Sequence, residues 1–415
     1  MDTAPRDGEK VTCLVPASSV ERVRRTGLPS VLAASIALSV PQARASGNPA
    51  IVWAADTRSP RRSDDAPVDP VERSALARCG VEDAGLRLLA LSLVARKVRG
   101  LPTPEMDDVD LLRRASGEPH PWPRAWIVVE SPAAPEAAMR KLDAWLAEQP
   151  SPERRRCGVA SSAGTDGRRV VTVVAVDALA DLAALPTRAR TGQWLEVEAR
   201  MTVRARGGKV IVLGPSGAPR PLPTAFDGVT LRARFAPDRP GEFAVQVIAD
   251  VDGGPRPVLE ASVFADAEPP SSPNEETAPG EEESASPAAD DDQRLARMLA
   301  AARAAAGLRP LVRDQRLDAI ARAHAIRMAA AHDLAHDAGD GSPVDRLRAA
   351  GLDARDVGEN VAHAPSIALA HRALWASPSH RANLLGAEFD RVGVAVSRDE
   401  RGDSWVAETF AGALR

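Results

Sequence analysis

The sequence predicts an α+β protein with three folded regions: a mixed helix-and-strand region, a central antiparallel β-sandwich, and a C-terminal α/β/α sandwich. Leu86, Leu89 and Leu93 recur at helical spacing in the first region. Residues 194–203 alternate with period two, and further strand patterns separated by Gly, Pro and Asp turns follow them. Capped helical patterns and a final hairpin predict the α/β/α arrangement of the third region.

Composition argues against a nucleic-acid partner. The 415 residues carry 53 basic and 57 acidic side chains, so the formal net charge is only −4. Seven Trp, six Phe and no Tyr provide few rings for stacking on bases or sugars. The chain is long enough for several separate cores.

Residues 1–45 have the pattern of a signal peptide. A basic segment, residues 22–25, precedes an apolar run at 27–40, and an Ala-x-Ala motif ends at residue 45. The run is shorter than the roughly 20 residues that a membrane span needs. The alternative is a helix at the start of the mature protein. We expect a secreted, periplasmic or extracellular protein with no transmembrane segment after signal removal.

Two cysteines, Cys79 and Cys157, remain in the exported chain because Cys13 leaves with the signal peptide. A disulfide between them suits an oxidising compartment. Two buried free thiols are the alternative.

Composition also sets the boundaries of the regions. Residues 46–70 form a polar linker, 71–177 the first folded region and 178–266 the β-sandwich. Residues 267–292 are acidic and rich in proline with no basic residue, which predicts a disordered linker. Residues 293–415 form the last domain.

The first two helices of the last domain follow from apolar faces and end signals. Leu295 and Leu299 share a face of a helix that Gly307 ends. A second helix begins near Asp314 and places His324 on its apolar face.

Capping residues and a turn predict the remaining elements. Ser342, with Asp345 at the capping-box spacing, begins a third helix, and Ser366 caps a fourth. Residues 391–396 and 404–410 are predicted to be the strands of a hairpin.

The order of the motifs in this domain resembles the CAP superfamily, also called the SCP-like or cysteine-rich secretory protein, antigen 5 and pathogenesis-related 1 group. The bacterial extracellular branch is the most similar, and the resemblance covers about residues 293–413. The matching motifs are Gly307-Leu-Arg-Pro-Leu311, Ala321-Arg-Ala-His324, Leu334-Ala-His336, Asp340-Gly-Ser-Pro343, Gly358-Glu-Asn360, Trp375-Ala-Ser-Pro-Ser-His-Arg381 and Arg391-Val-Gly-Val-Ala395.

The resemblance implies a surface cleft that holds two His and two Glu in the fullest family members. His336, Glu359 and His380 match three of these positions, and the fourth, a Glu in eukaryotic members, falls on Pro378. Some family members bind zinc through the two histidines, others bind sterols or fatty acids, and proteolysis has been proposed for a few.

Segments of the first region resemble segments of the last region that lie about 230 to 235 residues later in the sequence. The position equivalent to Glu359 falls near Ala125, so this resemblance predicts a degenerate CAP-like domain without the site; convergent patterning is the alternative. The parallel segments are 109–117 with 344–351, Trp145 with Trp375, and 156–160 with 391–395.

Three hypotheses for the cleft follow. His336, His380 and Glu359 are candidate ligands of zinc or another divalent metal in a binding module for a small ligand, lipid or cell-envelope component. The alternative is a hydrolase of peptide or cell-wall substrates, in which the same three residues are catalytic and Glu359 is the general base. A hydrogen-bonded network without chemistry, in a pure interaction protein, is the third.

The other histidines carry less weight. His324 is expected in the core, and His332, His363 and His371 at the surface, with His363 close enough to Glu359 to be a reserve ligand. The serines beside His380 follow no order typical of a serine hydrolase.

Overall fold

The computed structural model describes residues 10–11, 51–62, 69–102, 104, 106–130, 135–149, 152–163, 168–252, 254–272, 277–287 and 290–414. Apart from a two-residue strand, β1 (Lys10–Val11), the predicted signal peptide at 1–45 lies outside the described residues. Within them, no helix is long and apolar enough to cross a membrane.

The first region is a five-stranded sheet, order β1-β4-β6-β5-β3, with helices on both faces. Strand β6 is buried on both faces, as its nearly continuous apolar run requires. Asp69 and Asp83 cap the first two helices by accepting backbone N–H groups. The elements in chain order are β2 (Asp56–Ser59), α1 (Pro70–Cys79), β3 (Val81–Glu82), α2 (Ala84–Val98), α3 (Met106–Ala115), β4 (Arg124–Glu130), α4 (Pro135–Ala147), β5 (Arg155–Ala163) and β6 (Arg169–Asp177).

A disulfide joins Cys79, at the end of α1, to Cys157 in β5, with 6.1 Å between the Cα atoms. Both residues are buried in the core that α1 and α4 share with the sheet. Of the two alternatives left open by the sequence, the structure therefore has the disulfide. The bridge spans 78 residues, and a loop of that size corresponds to about 4.5 kcal/mol on the chain-entropy model.

We expect the double variant Cys79→Ala/Cys157→Ala to lower the free energy of unfolding of this region by about 2–5 kcal/mol. Urea unfolding followed by tryptophan fluorescence measures the change, because Trp126 and Trp145 lie in the same core. As a control, dithiothreitol should shift the wild-type midpoint and leave that of the variant in place. Equal midpoints for the two oxidised proteins would contradict the expectation.

The middle region consists of two five-stranded sheets, order β11-β10-β14-β15-β8 and β12-β13-β9-β7-β2. Alternate residues of strands from both sheets meet in one hydrophobic cluster, which includes Val197, Leu231 and Val245. The elements are β7 (Ala180–Pro186), β8 (Arg188–Ala189), β9 (Leu195–Met201), β10 (Gly207–Leu213), β11 (Arg220–Pro221), β12 (Thr224–Phe226), β13 (Thr230–Phe235), β14 (Gly241–Val251) and β15 (Gly254–Ala265).

The structure differs from the expected polar linker 46–70 over residues 51–62. Strand β2 pairs with β7 in one of the two middle sheets. The Trp53 ring packs edge-on against Phe264 at 4.9 Å, and its Nε1 donates to the Pro270 carbonyl at 2.9 Å. The half-buried Trp53 and the pairing of β2 with β7 order a segment whose average composition is polar.

The expected disordered linker 267–292 also contains ordered structure. Residues Glu281–Ala285 form a short 3₁₀-helix, and the Glu281 carboxylate pairs with Arg372 of the last domain. His371 is fully buried and its Nε2 lies 2.9 Å from the Pro279 carbonyl oxygen, so the prediction of a surface position for it is wrong. These contacts hold residues 277–287 against the last domain.

The last domain is an α/β/α sandwich around a four-stranded sheet, order β16-β18-β19-β17. On β18, Val392, Val394 and Val396 face the helices α5, α8 and α9, whereas Ala395 faces α6. The elements are α5 (Asp291–Ala305), β16 (Val312–Arg313), α6 (Gln315–Ala331), α7 (Pro343–Ala349), β17 (Asp356–Ala364), α8 (Ile367–Ala376), α9 (Pro378–Leu384), β18 (Arg391–Arg398) and β19 (Ser404–Gly412).

The sheets of the first and last regions share a strand order. β4-β6-β5-β3 corresponds to β17-β19-β18-β16, and in both the short edge strand runs parallel to its neighbour. Gly158 and Gly393 hold equivalent places, since a Cβ on either would lie 2.0 Å from the backbone of Leu86 or Leu317, so each glycine lets a helix pack directly on its sheet.

Candidate functional site

Three different elements carry the histidines and the glutamate that the sequence singles out. His336 lies in the loop after α6, Glu359 on β17 and His380 on α9. His332 has a left-handed conformation, which ends α6, and the chain that follows it runs toward the cleft. The fold thus brings together residues that are up to 44 positions apart.

Glu359 is held by two partners at once. The Arg346 guanidinium donates from Nη2 to Oε1, and His336 Nδ1 lies 2.9 Å from Oε2. Its side chain is only 1 % exposed. Because a carboxylate only accepts, His336 donates from Nδ1, and in the neutral tautomer with this proton Nε2 carries the lone pair.

Arg346 also shapes the loop that carries His336. Its Nη1 donates to the carbonyl oxygens of His336, at 2.9 Å, and of Gly341, and it lies 3.3 Å from an oxygen of Asp340. The Ser342 capping box begins α7 as the sequence predicts, and Arg346 lies in the last turn of this short helix. The role of Arg346 itself was missed, since no local pattern pairs an arginine with a glutamate thirteen positions away.

His324 is fully buried, as its place on the apolar face of α6 predicts. Its Nδ1 lies 2.8 Å from Asp340, and its Nε2 lies 3.0 Å from the Ala335 carbonyl oxygen and 3.6 Å from Glu359. His324 therefore packs behind the cleft residues and does not line the cleft itself.

An amide and carboxylate layer joins β17 to α9. Asn360 Nδ2 donates to the His380 carbonyl oxygen at 3.2 Å and to Glu408 at 3.0 Å. Asn383 Nδ2 donates to the Glu359 carbonyl oxygen at 3.0 Å and to Asn360 Oδ1 at 2.9 Å. These bonds fix the backbone of His380 relative to that of Glu359.

Burial raises the pKa of Glu408 to about 7, against a smaller lowering effect from its hydrogen bond with Asn360. The raised pKa means that the protonated acid is favoured in the folded state. This contribution to stability is complete below the unfolded value of 4.5 and is lost as the pH rises through about 7.

We expect Glu408→Gln to gain stability relative to the wild type between pH 5 and pH 8, by at most roughly 3 kcal/mol, because glutamine has no charge to bury. Urea unfolding at both pH values measures the difference. Glu400→Gln, at an exposed position of the same domain, is the matched control and should show no such gain. The same pH dependence in all three proteins would contradict the expectation.

His380 is held as a neutral imidazole. Burial, followed by the charge of neighbouring His336, lowers its pKa to about 3. At neutral pH its ring nitrogens are therefore available as one donor and one acceptor.

Both cleft histidines line a cavity of about 470 Å³. The first region contributes Trp122 and Arg124 to its wall, and the middle region contributes Arg256. The sequence indicated only the CAP side of this wall.

The last domain docks on the middle region beside the cavity. Gln246, fully buried on β14, donates to Ser377 at 3.3 Å and accepts the backbone N–H of Ser379 at 2.9 Å. These two serines begin the helix that carries His380, so the middle region helps to set the place of that ring.

The three predicted ligands are not close enough to share one ion as they stand. Among the described residues, the one group of three or more His, Cys, Asp or Glu with ligand atoms all within 4.8 Å is His363, Asp399 and Asp403. His363 lies in that group, half-buried, instead of at the surface. That His336, His380 and Glu359 bind a metal stays a prediction.

Residues 296–409 match the family model of the cysteine-rich secretory protein family, CAP. These residues are a CAP domain. The resemblance drawn from the ordered motifs is confirmed, and the match covers under a third of the chain. No curated protein matches the chain.

Three solved bacterial structures are similar to parts of the chain. An outer surface protein from Borrelia burgdorferi is 20 % identical over 29 % of this chain and 92 % of its own, with a TM-score of 0.28. An extracellular protein containing a SCP domain from Bacillus anthracis is 15 % identical over 57 % and 86 %, with a TM-score of 0.27. A cysteine-rich secretory protein from Staphylococcus aureus is 14 % identical over 57 % and 82 %, with a TM-score of 0.25.

Proposed function

We propose that this protein is an extracellular binding protein whose CAP cleft, closed over by the other two regions, holds a small ligand. The observation that carries the proposal is the cavity of about 470 Å³, in which His336 and His380 face side chains of both other regions. Its volume lies in the range of small-molecule sites. Export rests on the signal-peptide pattern of residues 1–45.

A divalent ion, zinc first, fits the two imidazoles of the cleft. Glu359 accepts the Nδ1–H of His336, an arrangement typical of metal-binding histidines that leaves Nε2 as the ligand atom. His380 is neutral because burial lowers its pKa, and a neutral ring is the form that binds metal. Such an ion would polarise a carbonyl or carboxylate of the ligand.

Glu359 then serves as an orienting acceptor for His336. Arg346 occupies one of its oxygens and His336 the other. The hydrolase alternative has weaker support for the same reason, because a general base needs a carboxylate oxygen that can reach the substrate.

Arg256 and the apolar part of the wall support a ligand with an anionic group and an apolar body, such as a fatty-acid carboxylate, which would bind beside the lining carboxylates of Asp177, Asp252, Asp333 and Asp337. The Arg256 guanidinium lies 5.8 Å from the centre of the Trp122 ring. Among the described residues, no hydrogen bond is found for that guanidinium, but the carboxylates of Asp177 and Asp333 act on its charge, so an anionic ligand would compete with them for its donors. Pro121, Pro257 and Val258 supply apolar surface beside it.

The other two regions are proposed to be a β-sandwich at 178–266 and a degenerate CAP-like domain at 71–177. One core shared by two five-stranded sheets supports the sandwich. The common strand order supports the CAP-like layout. Ala125 pairs with Val174 where Glu359 pairs with Thr409, so the equivalent position has no carboxylate.

Zinc titration of the full chain by calorimetry tests the cleft. We expect His336→Ala and His380→Ala each to weaken binding of one zinc equivalent at least tenfold, because each removes one of two ligand nitrogens. His332→Asn is the matched control, since His332 lines the same cavity and asparagine tolerates its left-handed conformation.

A second titration, with a medium-chain fatty acid, tests the ligand class in Arg256→Gln and the same histidine variants. We expect Arg256→Gln to bind the fatty acid more weakly than the wild type does. Zinc binding that neither histidine variant affects, together with no fatty-acid binding, would contradict the proposed function.

A further inference from the structure

A group of three side chains of the types that ligate metals lies at the far end of the CAP sheet. His363 is near the end of β17, and Asp399 and Asp403 flank the turn between β18 and β19. The side chains are 15 %, 8 % and 7 % exposed, respectively. Strand β17 thus presents Glu359 to the cleft and His363, four residues later, to this turn.

The distances within the group are too long for hydrogen bonds. His363 Nε2 lies 3.6 Å from Asp399 Oδ2 and 3.8 Å from Asp403 Oδ2. Both His363 Nε2 and Asp403 Oδ2 are buried without any hydrogen-bond partner. Buried polar atoms of this kind need a partner, and here two of them face each other across a gap.

The gap has the size of a bound divalent ion. Ligand nitrogen and oxygen atoms lie about 2.0–2.2 Å from zinc, so at a tetrahedral angle two of them are about 3.4 Å apart. The two measured separations, 3.6 and 3.8 Å, are close to that spacing.

The donor atoms are held in place before any ion binds. Asp399 Oδ1 accepts the backbone N–H groups of Arg401 and Asp403, at 2.9 and 3.0 Å, while its Oδ2 accepts Trp405 Nε1–H at 3.2 Å. The His363 ring stacks on Trp405, with 4.0 Å between centroids and 17° between planes. Outer contacts of this type orient metal ligands.

We propose that His363, Asp399 and Asp403 form a second divalent-metal site, of the zinc class, separate from the cleft. One neutral imidazole and two carboxylates carry two negative charges, which a divalent cation balances. The nitrogen and oxygen donor set suits zinc, and three protein ligands leave a position for water. A bound ion ties the β18–β19 turn to β17.

An ion pair of a charged His363 with the two aspartates is the competing explanation. Both separations lie within the range of an ion pair, but neither is short enough for the charge-assisted hydrogen bonds that offset the burial of such a pair. Burial, followed by smaller opposing effects of the two aspartates, also leaves the pKa of His363 below its usual value.

Zinc titration of the chelator-treated full chain tests the site, with His363→Gln and Asp403→Asn as variants. Each should weaken one zinc equivalent at least tenfold and reduce the rise in melting temperature that zinc gives the wild type, and this reduction should also be seen in the His336→Ala background. Glu400→Gln, which removes a charge from the same turn at an exposed position, is the matched control and should behave as wild type.

The two sites are distinguished by measuring zinc binding at one site in variants of the other. Zinc binding at the turn should persist in His336→Ala, whatever the outcome at the cleft. Circular dichroism checks that the variants fold. If His363→Gln does not fold, the nearly isosteric Asp403→Asn variant still tests the site. Unchanged zinc affinity in a folded variant, or zinc binding lost only in His336→Ala, would overturn the proposal.

Discussion

The buried ion pair of Arg346 and Glu359 is the contact on which the cleft depends. Both side chains are nearly inaccessible, and removal of one partner from such a pair costs about 3–5 kcal/mol because the other charge is left without compensation. The same guanidinium holds two loop carbonyl groups, and the same carboxylate orients His336. One interaction therefore sets a loop, a ring and its tautomer.

Local signals were enough to find the framework of the CAP domain. Asp314, Ser342 and Ser366 cap helices as the sequence predicts, because a cap is settled by a few neighbouring residues. The expected linkers contain ordered structure at residues 51–62 and 277–287, where strand pairing, side-chain hydrogen bonds and an ion pair outweigh a polar average composition.

The cavity was not predictable from the sequence, because its wall comes from three regions. Gln246 meets Ser379 across 133 positions, and Arg346 meets Glu359 across thirteen. No periodicity or motif encodes such pairs; they follow from how the regions dock. The unpartnered atoms of His363 and Asp403 likewise depend on the register of β17 with β19.

The common strand order of the first and last sheets allows a comparison of what each of the two regions contributes to the cavity. The last region carries imidazoles and a carboxylate. The first region has Ala125 at the place that corresponds to the carboxylate, and its Arg124, Ala175 and Asp177 line the cavity. The first region therefore supplies part of the cavity wall without a carboxylate at the position that corresponds to Glu359. A substitution on this part of the wall, at Arg124 for example, changes the surface that shares the cavity with His336 and His380 and leaves the residues of the CAP domain themselves unchanged.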